Sequence, residues 1–215
     1  MYPREKLRRA MRLYAVTDSA WLDGRTLDSC VAQALAGGAT FIQLRDKHAS
    51  TDELAAQAAS LIPLCAEEGV PFVINDDVEA AIAVDADGVH VGQEDMACAS
   101  ARALLGPDKI VGVSVQTLDE ALAAQESGAD YLGVGAMFGT PTKPEAVDVS
   151  FEELASICAA VDIPVVAIGG LNESTVSSLA GTGVDGAAVV SAIFAAHDIE
   201  TSTKHLRALV DEALG

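Results

Sequence analysis

From residue 13 onward the chain alternates short apolar runs with longer stretches rich in Ala, Leu and Glu. The apolar runs fall at 13–16, 40–44, 72–74, 88–91, 110–113, 131–134, 165–168 and 186–190. They lack polar alternation, which predicts strands buried on both faces. Helices are expected between them, at 27–36, 52–68, 77–83, 96–105, 117–127, 150–160, 173–180 and 203–213. Ser50-Thr51-Asp52 and Ser150-Phe151-Glu152-Glu153 read as helix starts, the second as a capping box. Gly69, Gly106, Gly128, Gly181 and Gly183 stand where helices should stop. Eight such strand–helix units predict an α/β fold, a single-domain (β/α)8 TIM barrel over 1–215 with 1–11 as an N-terminal extension. A doubly wound open sheet is the alternative for the same element order.

Composition narrows the function. With 215 residues, 50% of them hydrophobic, the chain can bury one substantial core. The formal net charge of −19 disfavours nucleic acid as a partner. Acids collect at expected helix surfaces, among them Asp52, Glu53, Glu67, Glu68, Asp119, Glu120, Glu152, Glu153, Asp211 and Glu212. That distribution suits an acidic proteome in a salty cytoplasm, where ions screen the self-repulsion; an ordinary acidic enzyme is the alternative. No apolar run reaches the ~18 residues of a membrane span, and the basic start is not followed by a signal-peptide core, so a cytoplasmic protein with no membrane partner is expected. Cys30, Cys65, Cys98 and Cys158 form no C-x-x-C pair and read as structural thiols. The four histidines show no zinc-ligand spacing.

In such a barrel, chemistry belongs on the loops after the strands. Gln43, Arg45 and Lys47 alternate out of the second strand and share a face. An amide and two cations there form a seat for phosphate or diphosphate, or else a strand end paired with local acids. Asp76 and Asp95 follow neighbouring strands; they suit Mg²⁺ held jointly with substrate phosphate, or helix capping, for which Asp77 is better placed. Gly169-Gly170 and Val190-Ser191 close the last two strands, where a phosphate or a plain tight turn fits. Thr140-Pro141-Thr142-Lys143 reads as a stiffened binding loop or an ordinary surface loop. Gly133-Val134-Gly135 is not a dinucleotide fingerprint, since the next glycine comes one place late and prolines follow. His90 is read as a hydrogen-bonded core residue in preference to a proton carrier, and Trp21 and Phe138 as aromatic covers or as packing. Together these groups outline two anion sites in one mouth.

The segments Tyr14-Ala15-Val16-Thr17-Asp18, Gln43-Leu44-Arg45-Asp46-Lys47, Ile74-Asn75-Asp76, Gly88-Val89-His90-Val91-Gly92-Gln93-Glu94-Asp95, Gly112-Val113-Ser114, Gly139-Thr140-Pro141-Thr142-Lys143, Ile168-Gly169-Gly170 and Val190-Ser191-Ala192-Ile193 occur in this order. In that order the chain resembles the thiamine phosphate synthase (thiamine-phosphate pyrophosphorylase) family over about 13–198. The resemblance implies a transferase. It joins 4-amino-5-hydroxymethyl-2-methylpyrimidine diphosphate to a thiazole phosphate, releasing diphosphate, and CO₂ as well from a carboxylated thiazole. It implies that Gln43, Arg45, Lys47, Asn75, Ser114 and Lys143 bind the pyrimidine diphosphate, with Arg45, Lys47, Ser114 and Lys143 in the catalytic role. It implies Mg²⁺ on Asp76 and Asp95, and the thiazole phosphate on Thr140, Pro141, Thr142, Gly170, Val190 and Ser191. Carbon–oxygen ionisation to a pyrimidine carbocation, captured by the thiazole nitrogen, would need no protein nucleophile. The loop at Ala136-Met137-Phe138-Gly139 and Gln116 depart from the family pattern, and Gln116 is given no role. A thiazole tautomerase and a non-catalytic phosphate-ligand binder are the competing readings. The expected partners are the two small-molecule substrates, with association between copies of the chain left open. Arg45→Ala is expected to cost turnover with little loss of stability.

Overall fold

The structure, a computed structural model, describes residues 3–139 and 148–215. Eight parallel strands close into a barrel in chain order: β1 (Leu13–Val16), β2 (Phe41–Leu44), β3 (Phe72–Asn75), β4 (Gly88–Val91), β5 (Ile110–Val115), β6 (Tyr131–Val134), β7 (Val165–Ile168) and β8 (Gly186–Val189). The open-sheet alternative is thereby excluded. The described helices are α1 (Arg4–Ala10), α2 (Leu27–Ala36), α3 (Thr51–Glu67), α4 (Val78–Ala83), α5 (Cys98–Leu105), α6 (Leu118–Glu126), α7 (Phe151–Ala160), α8 (Ser191–Phe194) and α9 (Ile199–Leu214). Short 3₁₀ turns lie at Ser19–Trp21 and Val176–Leu179.

The absence of polar alternation in the strands has a direct counterpart in packing. One set of strand side chains, including Ile42, Leu44, Val89, Val91 and Leu132, packs outward against the helices. The other set, including Tyr14, Phe41, Val73, Ile110, Tyr131 and Val166, fills the barrel interior. Residues 4–10, outside the eight predicted units, form α1, and Leu7 and the following Met11 are buried in that interior cluster. Arg8 holds α1 in place by an ion pair to Asp185 at 2.6 Å and a bond to the Asp162 carbonyl at 3.0 Å.

Local chemistry moved several predicted boundaries. β2 starts at Phe41 because the Thr40 hydroxyl bonds the Leu13 N–H at 2.8 Å and its carbonyl at 3.1 Å. The stretch expected as a helix at 173–180 is a 3₁₀ turn. The Asn172 and Thr175 side chains bond neighbouring backbone there and compete with an α-helical ladder. The predicted capping box at Ser150 is half formed. The Ser150 hydroxyl accepts from the Glu153 N–H at 3.1 Å, but the Glu153 carboxylate turns to the Leu118 N–H at 2.7 Å. A complete box sits instead at Ser50 and Glu53. The cysteines are all free, and burial pushes Cys65 and Cys158 up to about 12, consistent with unreactive structural thiols. Among the described residues no helix is long and apolar enough to cross a membrane.

Candidate active site

The end of β2 carries the basic comb. Gln43 is buried, and its amide donates to the Tyr14 hydroxyl at 2.7 Å. Thr17 extends the β1–β2 pairing past both strands, accepting from the Arg45 N–H at 2.9 Å. The Arg45 guanidinium pairs with the Asp18 carboxylate, so the local-acid alternative holds for this cation. It does not hold for Lys47, which makes no ion pair among the described residues. Its charge acts on Asp76, favouring the ionised carboxylate. The comb therefore has one answered cation and one facing a carboxylate across the mouth.

Asp76 leaves β3 with φ +63°, a left-handed turn that Asp tolerates better than most residues. Its N–H bonds the His90 carbonyl of β4 at 2.8 Å, and the Asn75 amide donates to its carboxylate. Burial, then the neighbouring Asp95 carboxylate, raise Asp76 to about 6, against the pull of Lys47 and Asn75. The capping alternative fails for both acids. Asp77 caps α4 by accepting from Ala80 N–H at 2.8 Å, while α5 begins after Ala97 with no side-chain cap. Asp95 instead accepts from the Gly92 N–H at 2.8 Å. A Cβ on Gly92 would sit 2.7 Å from that carboxylate oxygen, so a side chain there would push the carboxylate aside. A half-buried carboxylate raised by burial and by its acidic neighbour suits a divalent cation between the two. Among the described residues no third acid, His or Cys completes a cage. That donor set matches Mg²⁺, which keeps waters and takes the remaining oxygens from phosphate.

The opposite rim is built from β7 and β8. Gly169 and Gly170 have φ +99° and +66°. A Cβ on Gly170 would lie 2.6 Å from the Cβ of Phe138, so this turn excludes side chains on two counts. Asn172 holds it from below, donating to the Gly170 carbonyl at 3.1 Å. Val190 leads into α8, whose first residue is Ser191. Arg25 donates to the carbonyls of Phe194 and Ala196 at 2.7 and 2.8 Å, and to those of Trp21 and Leu22, tying the loop after β1 to the end of α8.

These rims enclose one cavity of about 830 Å³. Gln43, Arg45, Lys47, Asn75, Asp76, Asp95, Ser114, Gly170, Val190 and Ser191 all line it. Thr140, Pro141, Thr142 and Lys143 lie outside the described residues. His90 is buried with its nitrogens bonded to Ser114 at 2.8 Å and Tyr131 at 2.9 Å, and burial lowers it to about 4, against the opposing field of Asp95. It is the hydrogen-bonded residue expected, and it also borders the cavity. Trp21 and Phe138 pack against the core, Phe138 with its ring 5.9 Å from that of Phe151, and neither lines the cavity.

Sequence reasoning passed over Asp18, Tyr14, Tyr131 and Glu120. Asp18 was legible only as a polar loop residue, and the tyrosines only as strand core. Glu120, expected on an outer helix face, lines the cavity and accepts from the Gln116 N–H at 2.7 Å.

The sequence profile described as Thiamine monophosphate synthase matches residues 13–193. The chain belongs to the thiamine monophosphate synthase family. It is 49% identical over 200 residues to "Thiamine-phosphate synthase" of Chloroflexus aurantiacus, covering 93% of this chain and 92% of the relative. It is 44% identical to the protein of that name from Clostridium botulinum, with 93% and 94% covered. Among solved structures it is similar to the thiamine phosphate pyrophosphorylase of Pyrococcus furiosus, with a TM-score of 0.88 and 43% identity over 97% of this chain and all of that one. In this thiamine monophosphate synthase family barrel, acids and bases share one rim of the cavity and glycine turns form the other.

Proposed function

We propose that the chain condenses 4-amino-5-hydroxymethyl-2-methylpyrimidine diphosphate with a thiazole phosphate to give thiamine phosphate and diphosphate. One observation carries the reading in a chain of this family. The basic comb, the Asp76–Asp95 pair and the Gly170–Ser191 turns line a single cavity. In this reading Arg45 and Lys47 take the diphosphate oxygens, with Lys143 joining them. Gln43, Asn75 and Ser114 orient the pyrimidine. Gly170, Val190 and Ser191, with Thr140, Pro141 and Thr142, hold the thiazole phosphate.

Asp76 and Asp95 would hold Mg²⁺, and the ion when bound supplies positive charge to the departing diphosphate oxygens. The carbon–oxygen bond breaks with its electron pair leaving on diphosphate. The aminopyrimidine ring spreads the resulting positive charge, and the thiazole nitrogen lone pair closes the new carbon–nitrogen bond. Cations fixed before the reaction stabilise the leaving charge without reorganising, and the two rims hold the reactants within one volume. A thiazole bearing a carboxyl group also loses CO₂, the electron pair of the broken carbon–carbon bond passing into the positively charged thiazolium, which then takes up a proton. The reading places the reaction in the cytoplasm, between two small-molecule substrates.

The test is diphosphate release on mixing both substrates with Mg²⁺. Release with thiamine phosphate formation supports the reading. Thiazole isomerisation alone would assign a tautomerase, and ligand binding without turnover a binding protein.

A further inference from the structure

We propose that Tyr14, Tyr131 and His90 are positioning residues that join Gln43 to Ser114 in one ordered hydrogen-bond chain, so that the two ends present opposite hydrogen-bonding character to the pyrimidine. The proposal rests on the reading above that the pyrimidine lies against Gln43 and Ser114.

The chain crosses the barrel through five strands. Gln43 of β2 reaches the Tyr14 hydroxyl of β1 at 2.7 Å, and Tyr14 reaches the Tyr131 hydroxyl of β6 at 2.7 Å. Tyr131 reaches His90 Nδ1 of β4 at 2.9 Å, and His90 Nε2 reaches the Ser114 hydroxyl of β5 at 2.8 Å. The barrel makes room for these rings. A Cβ on Gly112 would fall within the Tyr131 ring, and one on Gly133 would lie 3.2 Å from His90 Cε1. Phe41 packs against Tyr14 and Tyr131 at 4.5 and 5.5 Å between ring centres and holds both. Tyr131 is fully buried and does not line the cavity, so its hydroxyl serves the chain and not the ligand.

Proton counting gives the chain its function. Four links need four protons. The two tyrosines and a neutral His90 supply three, since the buried ring has both nitrogens bonded to uncharged hydroxyls. The fourth comes from the Gln43 amide or from the Ser114 hydroxyl, never from both. When Gln43 donates inward, its carbonyl is left for the ligand. His90 then carries its proton on Nε2 and donates to Ser114, whose own hydrogen turns into the cavity. In the reverse sense Gln43 offers its NH₂ to the ligand, and Ser114 offers only lone pairs. An aminopyrimidine edge presents an amine donor and ring-nitrogen acceptors, which fits the first sense. A pyrimidinone, with oxygen in place of the amine and a proton on the ring, needs the second. The site thus discriminates between them through buried links that a wrong ligand must reverse or break.

Histidine-labelled protein read by ¹⁵N NMR tests this, with His90→Asn to assign the signal. Saturation with the aminopyrimidine diphosphate is expected to give the Nε2–H tautomer of His90, and the pyrimidinone diphosphate the Nδ1–H tautomer. The same tautomer with both ligands would overturn the proposal. Tyr14→Phe and Tyr131→Phe keep the ring packing and cut the chain. Each is expected to raise KM for the pyrimidine diphosphate about ten-fold and leave KM for the thiazole phosphate unchanged. The double variant is expected to stay near ten-fold, because the chain is already cut. A roughly hundred-fold, additive effect, or no effect of either variant, contradicts the coupling. If a variant does not fold, the tautomer measurement on the unmodified protein still decides. Gln43→Ala and Ser114→Ala test the underlying seat. If neither changes KM for the pyrimidine diphosphate, the seat is wrong; if they do and the tyrosine variants do not, only the coupling is.

Discussion

Asp76 and Asp95 face one another across the ends of β3 and β4, and burial together with the Asp95 charge raises Asp76 to about 6. Without a cation, ionising Asp76 in the folded chain works against stability. Its folded value lies above its unfolded one, so the penalty is absent below about pH 4 and complete above about pH 6. Metal-free Asp76→Asn is therefore expected to be more stable than the unmodified protein at about pH 7.5, by of order 1 kcal/mol after solvent screening, with the difference gone near pH 4. Denaturant titrations at the two pH values check this. Equal stability at both would remove the repulsive pair.

Mg²⁺ should reverse that penalty. It is expected to raise the melting temperature of the unmodified protein more at about pH 7.5 than at about pH 5, where protons compete for Asp76. Asp76→Asn should lose most of this gain. A Mg²⁺ response unchanged by the substitution, followed by differential scanning fluorimetry, would count against the assigned ligands.

The Arg45–Asp18 pair alters what Arg45→Ala should do. Both side chains are largely buried, at 13% and 18% exposure, so removing the guanidinium leaves Asp18 without its partner. The sequence alone pointed to little loss of stability; the structure predicts a loss of about 1–3 kcal/mol along with the loss of turnover. Asp18→Asn combined with Arg45→Ala should restore stability and leave turnover low. A double variant as unstable as the single one would contradict the pairing.

Gly170→Ala tests the second rim. The residue would take φ +66° with a methyl 2.6 Å from the Phe138 Cβ. The expected results are a stability loss of about 1–3 kcal/mol and a raised KM for the thiazole phosphate, with KM for the pyrimidine diphosphate little changed. Steady-state kinetics with each substrate varied in turn separate the two constants.

The charge of −19 predicts a salt-dependent fold. Asp52, Glu67, Glu68, Asp119, Glu152 and Asp211 are exposed, so salt should screen their mutual repulsion and raise the melting temperature by several degrees between about 0.1 M and 1 M. A flat salt series would place this chain with ordinary acidic enzymes.

Much of the barrel was legible because its strands lack polar alternation and its helices end on glycines such as Gly69 and Gly128. Boundaries failed where a side chain competed with the backbone, as Thr40 does at β2 and Asn172 before the 3₁₀ turn. The loop residues Arg45, Asp76 and Ser191 could be placed on one rim, since strand order puts every such loop at the same end. Asp18 as the partner of Arg45 could not be picked out from several acids at similar spacing. The Gln43–Tyr14–Tyr131–His90–Ser114 chain was invisible for a different reason. Its links join residues 29, 117, 41 and 24 positions apart, and only closure of the barrel brings them together.

The most direct measurement is a crystal structure with a non-reacting pyrimidine diphosphate analogue, a thiazole phosphate and Mg²⁺ bound together. The account predicts diphosphate oxygens on Arg45 and Lys47, the ion between Asp76 and Asp95, and the second phosphate at Gly170 and Ser191. Ligand density in a different cavity, or the two phosphates exchanged between the rims, would contradict it.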